Sequence, residues 1–230
     1  MDIDIRHAPS FAVARASLAG GEAIKAESSA MMATSDGVSL EARMQGGLFK
    51  SLKRAALGGE SLFVTTYTAP PQGGWVDLAA VLPGDLFVAA VDPARALFLS
   101  KGSWLCASDG IELDTKWGGF KNLFGGEGGF LVRASGAGQV GMSCYGALDT
   151  VTLAPGERFV VDSGHMVAYE EGVAMTLRKA ASGVVQSIAS GEGLVLEFTG
   201  PGAVMTQTRN PTALVGWLTG VLPFARQGEH

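Results

Sequence analysis

The side chains best suited to chemistry in this 230-residue chain lie in one stretch, "PGERFVVDSGHMVAYEE", from Pro155 to Glu171. Asp162 and His165 stand three residues apart with Glu170 close behind, and carboxylates beside an imidazole could hold a metal ion or move a proton. Strand periodicity sets Asp162 and His165 on opposite faces unless "SG" between them bends the chain. A histidine hydrogen-bonded at a turn is therefore the expected state, and a site of Asp162, His165 and Glu170 is the rival. His7 and His230 are the other histidines.

Other chemistries are weaker. The Pro155 stretch resembles the second motif of cupins, whose metal site takes two further histidines and a glutamate at spacings this chain lacks. The glycine-rich run "FGGEGGFLVRASGAGQVGMSC", Phe124 to Cys144, suggests a phosphate cradle, but such loops need a helix after them and here a strand follows. No Lys-Ser or Lys-Thr pair follows Gly125 to Gly129, and the same turn recurs near Gly58 and Gly191, so a structural turn is expected. Ser143-Cys144 has no nucleophile elbow around it. Glu60, Glu127 and Glu192 recur once per repeat, as turn or inter-repeat contacts would, and whether they also line a site stays open. No cofactor and no catalytic constellation are expected.

Composition sets the frame for these residues. Hydrophobic residues make up 47% and charged residues 17%, which disfavours disorder and suggests that subunits cover part of the apolar excess. A formal charge of −5 gives no global attraction to nucleic acid. Cys106 and Cys144 sit in apolar runs with no CxxC pair, pointing to a reducing cytoplasm and two small buried hydrophobes. The acidic start "MDIDIRHAPS" has no secretory core, and no run reaches the roughly 18 apolar residues of a spanning helix. A cytoplasmic protein, in part peripheral to a membrane, is expected.

The glycines punctuate short strands, and the strand pattern repeats three times. The acids of the closing turns, Glu60, Glu127 and Glu192, are 67 and 65 residues apart; those assigned to the opening turns, Glu22, Asp85 and Glu157, are 63 and 72 apart. An all-β chain of repeats at 11–76, 77–150 and 151–210, with an extension at 211–230, follows. The "GAG" and "GPG" turns read as links between antiparallel strands. One short helix is expected at 47–57, with Leu48, Phe49, Lys50, Leu52, Lys53 and Arg54 offering an apolar and a cationic side for a protein or membrane-surface partner. Trp217, in the apolar stretch near the C-terminus, is the other candidate contact.

The ordered series "GGLFKSLKRAALGGESLFVTTYTA", "LPGD", "FGGEGGFLVRASGAGQVGMSCYGAL", "LAPGERFVVDSGHMVAYEE" and "GEGLVLEFTGPGAVMTQT" resembles the altered-inheritance-of-mitochondria family, from about Phe11 to Gln207. The resemblance implies three β-sandwich modules like the tryptophan RNA-binding attenuation protein, related to the double-stranded β-helix, and a homotrimeric ring. It carries over no catalytic residue. The RNA-binding arginines and lysines of the attenuation protein have no recurring counterpart here, and Arg133 and Arg178 are isolated, so nucleic-acid binding is a third reading. A non-enzymatic ring-shaped scaffold or binding protein is the leading expectation, and a cupin-like enzyme using His165 is its rival.

Overall fold

The structure, a computed structural model, describes residues 1–45, 62–114, 131–179 and 194–222. A lone first strand, β1 (Asp2–Arg6), precedes three sets of six. The first set is β2 (Val13–Leu18), β3 (Ala23–Glu27), β4 (Met31–Thr34), β5 (Ser39–Gln45), β6 (Leu62–Thr68) and β7 (Gly74–Ala79). The second is β8 (Leu86–Val91), β9 (Leu97–Ser100), β10 (Trp104–Ser108), β11 (Ile111–Asp114), β12 (Leu131–Gly136) and β13 (Gly138–Ser143). The third is β14 (Leu148–Leu153), β15 (Arg158–Asp162), β16 (Met166–Glu170), β17 (Ala174–Lys179), β18 (Leu194–Thr199) and β19 (Gly202–Gln207), followed by helix α1 (Pro211–Val221).

Strand order recurs in every set. The first, sixth and third strands form one trio (β2-β7-β4, β8-β13-β10, β14-β19-β16), and the fourth, fifth and second form another (β5-β6-β3, β11-β12-β9, β17-β18-β15). The second strand of one set pairs with the third strand of the next, β3 with β10 and β9 with β16, fusing trios into two six-stranded sheets. The outer trios remain as a four-stranded sheet, with β1 added beside β2, and a three-stranded sheet. The ladders are antiparallel, and no barrel closes.

Alternation explains the layering. In β2, "VARASL", Ala14, Ala16 and Leu18 face a core while Arg15 and Ser17 face outward, as a period of two requires. Each set encloses one core, and neighbours contribute to it. Leu86, Leu105 and Cys106 of the second set enter the first core with Ile24, Tyr67 and Leu78. Leu62 and Val64 of the first set, and Ala168 and Met205 of the third, enter the second core around Trp104 and Met142. Phe98 and Leu131 enter the third core beside Leu196 and Phe198. At about 1.5–3 kcal/mol per large buried side chain, these exchanged residues help hold the sets together beside the sheet ladders. Cys106 and Cys144 are both buried, and burial pushes the Cys106 thiol up to about 12 and raises Cys144, which removes the thiolate needed for nucleophilic work.

Two expectations change. The "GAG" and "GPG" turns do not make hairpins: β12 and β13, like β18 and β19, lie in different sheets, so these turns carry the chain across the sandwich. Both edges of β12 and of β13 are already occupied by other strands, and Gly138, at φ 152° against the Ser108 side chain, lets the backbone cross where a Cβ would collide. The middle opening turn is at Asp92–Arg95, where Arg95 N–H donates to the Asp92 carbonyl. This matches Glu22 with Ala19 and Glu157 with Ala154, whereas Asp85 lies in the connection between β7 and β8. Helix α1 falls at 211–221, where Asn210 caps the Thr212 and Ala213 N–H groups and Pro211 opens the first turn. The helix expected at 47–57, including Leu48 to Arg54, and the acids Glu60, Glu127 and Glu192 lie outside the described residues.

Candidate functional site

The Asp162 and His165 side chains are positioned by the bend between β15 and β16, a 3-10 turn over Ser163–His165, and Glu170 stands at the far end of β16. Asp162 Oδ1 accepts from the Gly164 N–H at 2.9 Å and from Asn210 Nδ2 at 3.3 Å. His165 Nδ1 lies 2.7 Å from the Gln207 carbonyl, which can only accept, so the imidazole proton is on Nδ1. Glu170 Oε2 takes the Ala203 N–H at 2.9 Å, and the Gln207 side chain links the Gly164 carbonyl to the Tyr145 N–H. No hydrogen bond joins Asp162 to His165, and each of the three residues serves a backbone group. The corresponding turn of the second set has Ser100 and Ser103, 2.5 Å apart, in the places of Asp162 and His165. Among the described residues no group of three His, Cys, Asp or Glu side chains is placed to hold a metal ion.

The junctions between sets show a different constellation. At the first junction Ala26 pairs with Cys106 and Ile24 with Ser108; at the second, Leu99 with Ala168 and Leu97 with Glu170. The third strand of every set carries a bulge at the same place, Met31/Ala33, Trp104/Cys106 and Met166/Ala168, so the ladders are in equivalent register. Phe98 stacks on Tyr169 across the second junction with centroids 5.1 Å apart. One residue beyond each paired third strand an acid receives a cation from the preceding set. Lys25 Nζ is 3.2 Å from Asp109 Oδ1 and also donates to the Asp109 and Ile111 carbonyls. Arg133 Nη2 is 2.8 Å from Glu171 Oε1, and that guanidinium, with the Ala96 N–H, holds the Glu171 carboxyl below its usual range.

At the two ends of the array the same strands have no junction partner among the described residues. The second strand of the third set, β15, and the third strand of the first, β4, are sheet edges. Met31 and Met32 of β4 are 41% and 55% exposed, whereas their counterparts Trp104, Leu105, Met166 and Val167 are buried. Val160 of β15 is 45% exposed where Phe98 is buried. On the outer sheet that holds β4, Asp77, only 3% exposed, is clasped by Arg15 through Nε at 2.7 Å and Nη2 at 2.8 Å and by Arg6 at 2.8 Å, with the Arg15 guanidinium 4.0 Å over the Trp75 ring. Trp217, on α1, is 63% exposed, and Val215 and Val221 are exposed beside it.

A model of the family described as mitochondrial biogenesis AIM24 matches residues 3–209. The chain belongs to that family. The AIM24 match spans β1 through β19 and stops just before α1. An uncharacterised protein of Streptococcus pyogenes serotype M6 is 27% identical over 231 residues, covering 97% of this chain and 92% of the relative. A crystal structure of another Streptococcus pyogenes protein superposes with a TM-score of 0.79 at 23% identity, over 96% of this chain and 99% of that one, a likeness of fold. Within this AIM24 chain, sequence reasoning missed the junction acids Asp109 and Glu171 and their counterpart Asp36. Their signal was the recurring turn "TSDG", "ASDG" and "YEEG", which closes each third strand. No helix of the described residues is long and apolar enough to cross a membrane.

Proposed function

We propose that this AIM24-family protein is a non-enzymatic scaffold. Its copies join head to tail into a closed ring, which the family resemblance makes a homotrimer. The chain is read as three modules that follow the strand sets, 13–79, 86–143 and 148–207, with an extension at 211–230, working in the cytoplasm or at a membrane surface. The observation that carries this reading is the pair of open edges: β15 and β4 are the counterparts of strands that pair at both internal junctions, and among the described residues they present Val160, Met31 and Met32 to solvent where those counterparts are buried. A head-to-tail contact between unlike surfaces makes either a closed ring or an open filament, and closure removes every such edge. The backbone duties of Asp162, His165 and Glu170 support a structural role for them over the metal-enzyme alternative. Trp217 on α1 is the described surface for a protein or lipid partner, an uncharged helix with an exposed aromatic.

Sedimentation of the purified chain beside a Met32→Glu, Val160→Glu variant tests the reading. The wild type is expected as one assembled species and the variant as a folded monomer. A monomeric wild type at micromolar concentration would overturn it.

A further inference from the structure

The internal junctions show what a cation and an acid do at each joint, and the open ends hold the parts of one more. We infer that Asp36 is the acid half of an inter-subunit ion pair whose cation is Arg158 of a neighbouring copy. This rests on the head-to-tail reading and specifies its contact.

Asp36 occupies the position held by Asp109 and Glu171, two residues after the last pair that the third strand makes with the sixth (Thr34, Ala107 and Tyr169) and just before a glycine. Both of those acids bind a cation that reaches over from the preceding set, Lys25 in one case and Arg133 in the other. Among the described residues of its own chain Asp36 has no ion pair, and it is exposed. The register identifies what would stand opposite. At the second junction the Glu171 N–H donates to the Ala96 carbonyl at 3.0 Å, and the Ala96 N–H donates back to Glu171 Oε2 at 3.3 Å. Ala96 immediately precedes Leu97, and Arg158 immediately precedes Phe159, the counterpart of Leu97 in the third set. Carried across the open edge, that register puts the Arg158 backbone against Asp36 of the next copy.

Arg158 is available for the contact. Its side chain is 73% exposed and only 3.6 Å from Glu197, whose other oxygen is taken by Arg178 at 3.0 Å. Glu197 occupies the place of Arg133, so the cation that bridges the second junction is absent at the open one, and Arg158 supplies the charge from the neighbouring strand. The acid thus recurs at a fixed place, while the cation comes from β3, β12 or β15 according to the joint.

The test is a charge-swap cycle read by sedimentation across a concentration series. Arg158→Asp and Asp36→Arg are each expected to weaken assembly about fivefold, as an exposed pair would, with the effect shrinking in high salt. The combined variant is expected to recover most of the wild-type affinity. Circular dichroism of each variant confirms the fold, and an Asp36→Cys, Arg158→Cys chain is expected to form intermolecular disulfides under mild oxidation. Wild-type assembly unaffected by either reversal, together with no disulfide, would overturn the ion pair while leaving the ring reading standing. A monomeric wild type would overturn both.

Discussion

His165 holds a carbonyl, and its loss is a question of stability. His165→Ala removes the bond to Gln207 and leaves a buried acceptor, so a fall of about 1 kcal/mol in unfolding free energy is expected, with no change in metal content on elemental analysis. A bound metal lost in that variant would revive the rival site. Asp77 is the more sensitive residue, because two guanidiniums converge on one buried carboxylate. Arg15, then burial against it and Arg6, set the balance that holds this carboxyl below its ordinary value of 3.8. A depressed carboxyl contributes stability that is complete above that ordinary value and lost as pH falls through the folded one. Asp77→Asn should therefore cost about 2 kcal/mol near neutrality, discounted for the partly exposed arginines, and the melting curves of variant and wild type should converge in acid. Both residues illustrate what sequence could show: the "SG" bend and a bonded histidine were readable locally. Asp77 drew no notice because its arginines are 62 and 71 residues away.

At the scale of elements, alternating apolar residues and glycine punctuation were enough to read an all-β chain. Where strands go next was not, since "GAG" has the same local chemistry whether it closes a hairpin or crosses between sheets. The choice depends on which strand edges are already filled, a property of distant segments. The middle opening turn was misplaced for a related reason: "LPGD" looks more like the Glu22 and Glu157 turns than "DPAR" does, although the latter makes the equivalent bond. Helix α1 did carry a local signal in Asn210-Pro211, masked by the two glycines within it. Close packing between β10 and β13 of the second set gives a test of this scale. A Cβ on Gly141 would lie 2.5 Å from Cys106 Sγ, so Gly141→Ala should destabilise by roughly 1–3 kcal/mol in denaturant unfolding. Adding Cys106→Ala opens that space, and the double variant should be less destabilised than the sum of the two singles.

For the whole molecule, the recurring strand order makes the ends as informative as the middle. Every set lends residues to its neighbour's core, so among the described residues a lone chain leaves one donor face and one acceptor face uncovered, and a repeat array in this state needs caps or closure. The first set already has β1 along β2, yet β4 remains open with two exposed methionines. Function was the least legible layer in the sequence, because the proposed scaffold role needs no recurring catalytic geometry, only surfaces whose meaning appears once their paired counterparts are seen. Native mass spectrometry of the untagged wild-type chain from volatile buffer tests the central claim most directly. A dominant species at three times the 23.7 kDa chain mass is the predicted result, and a spectrum of single chains alone would contradict it.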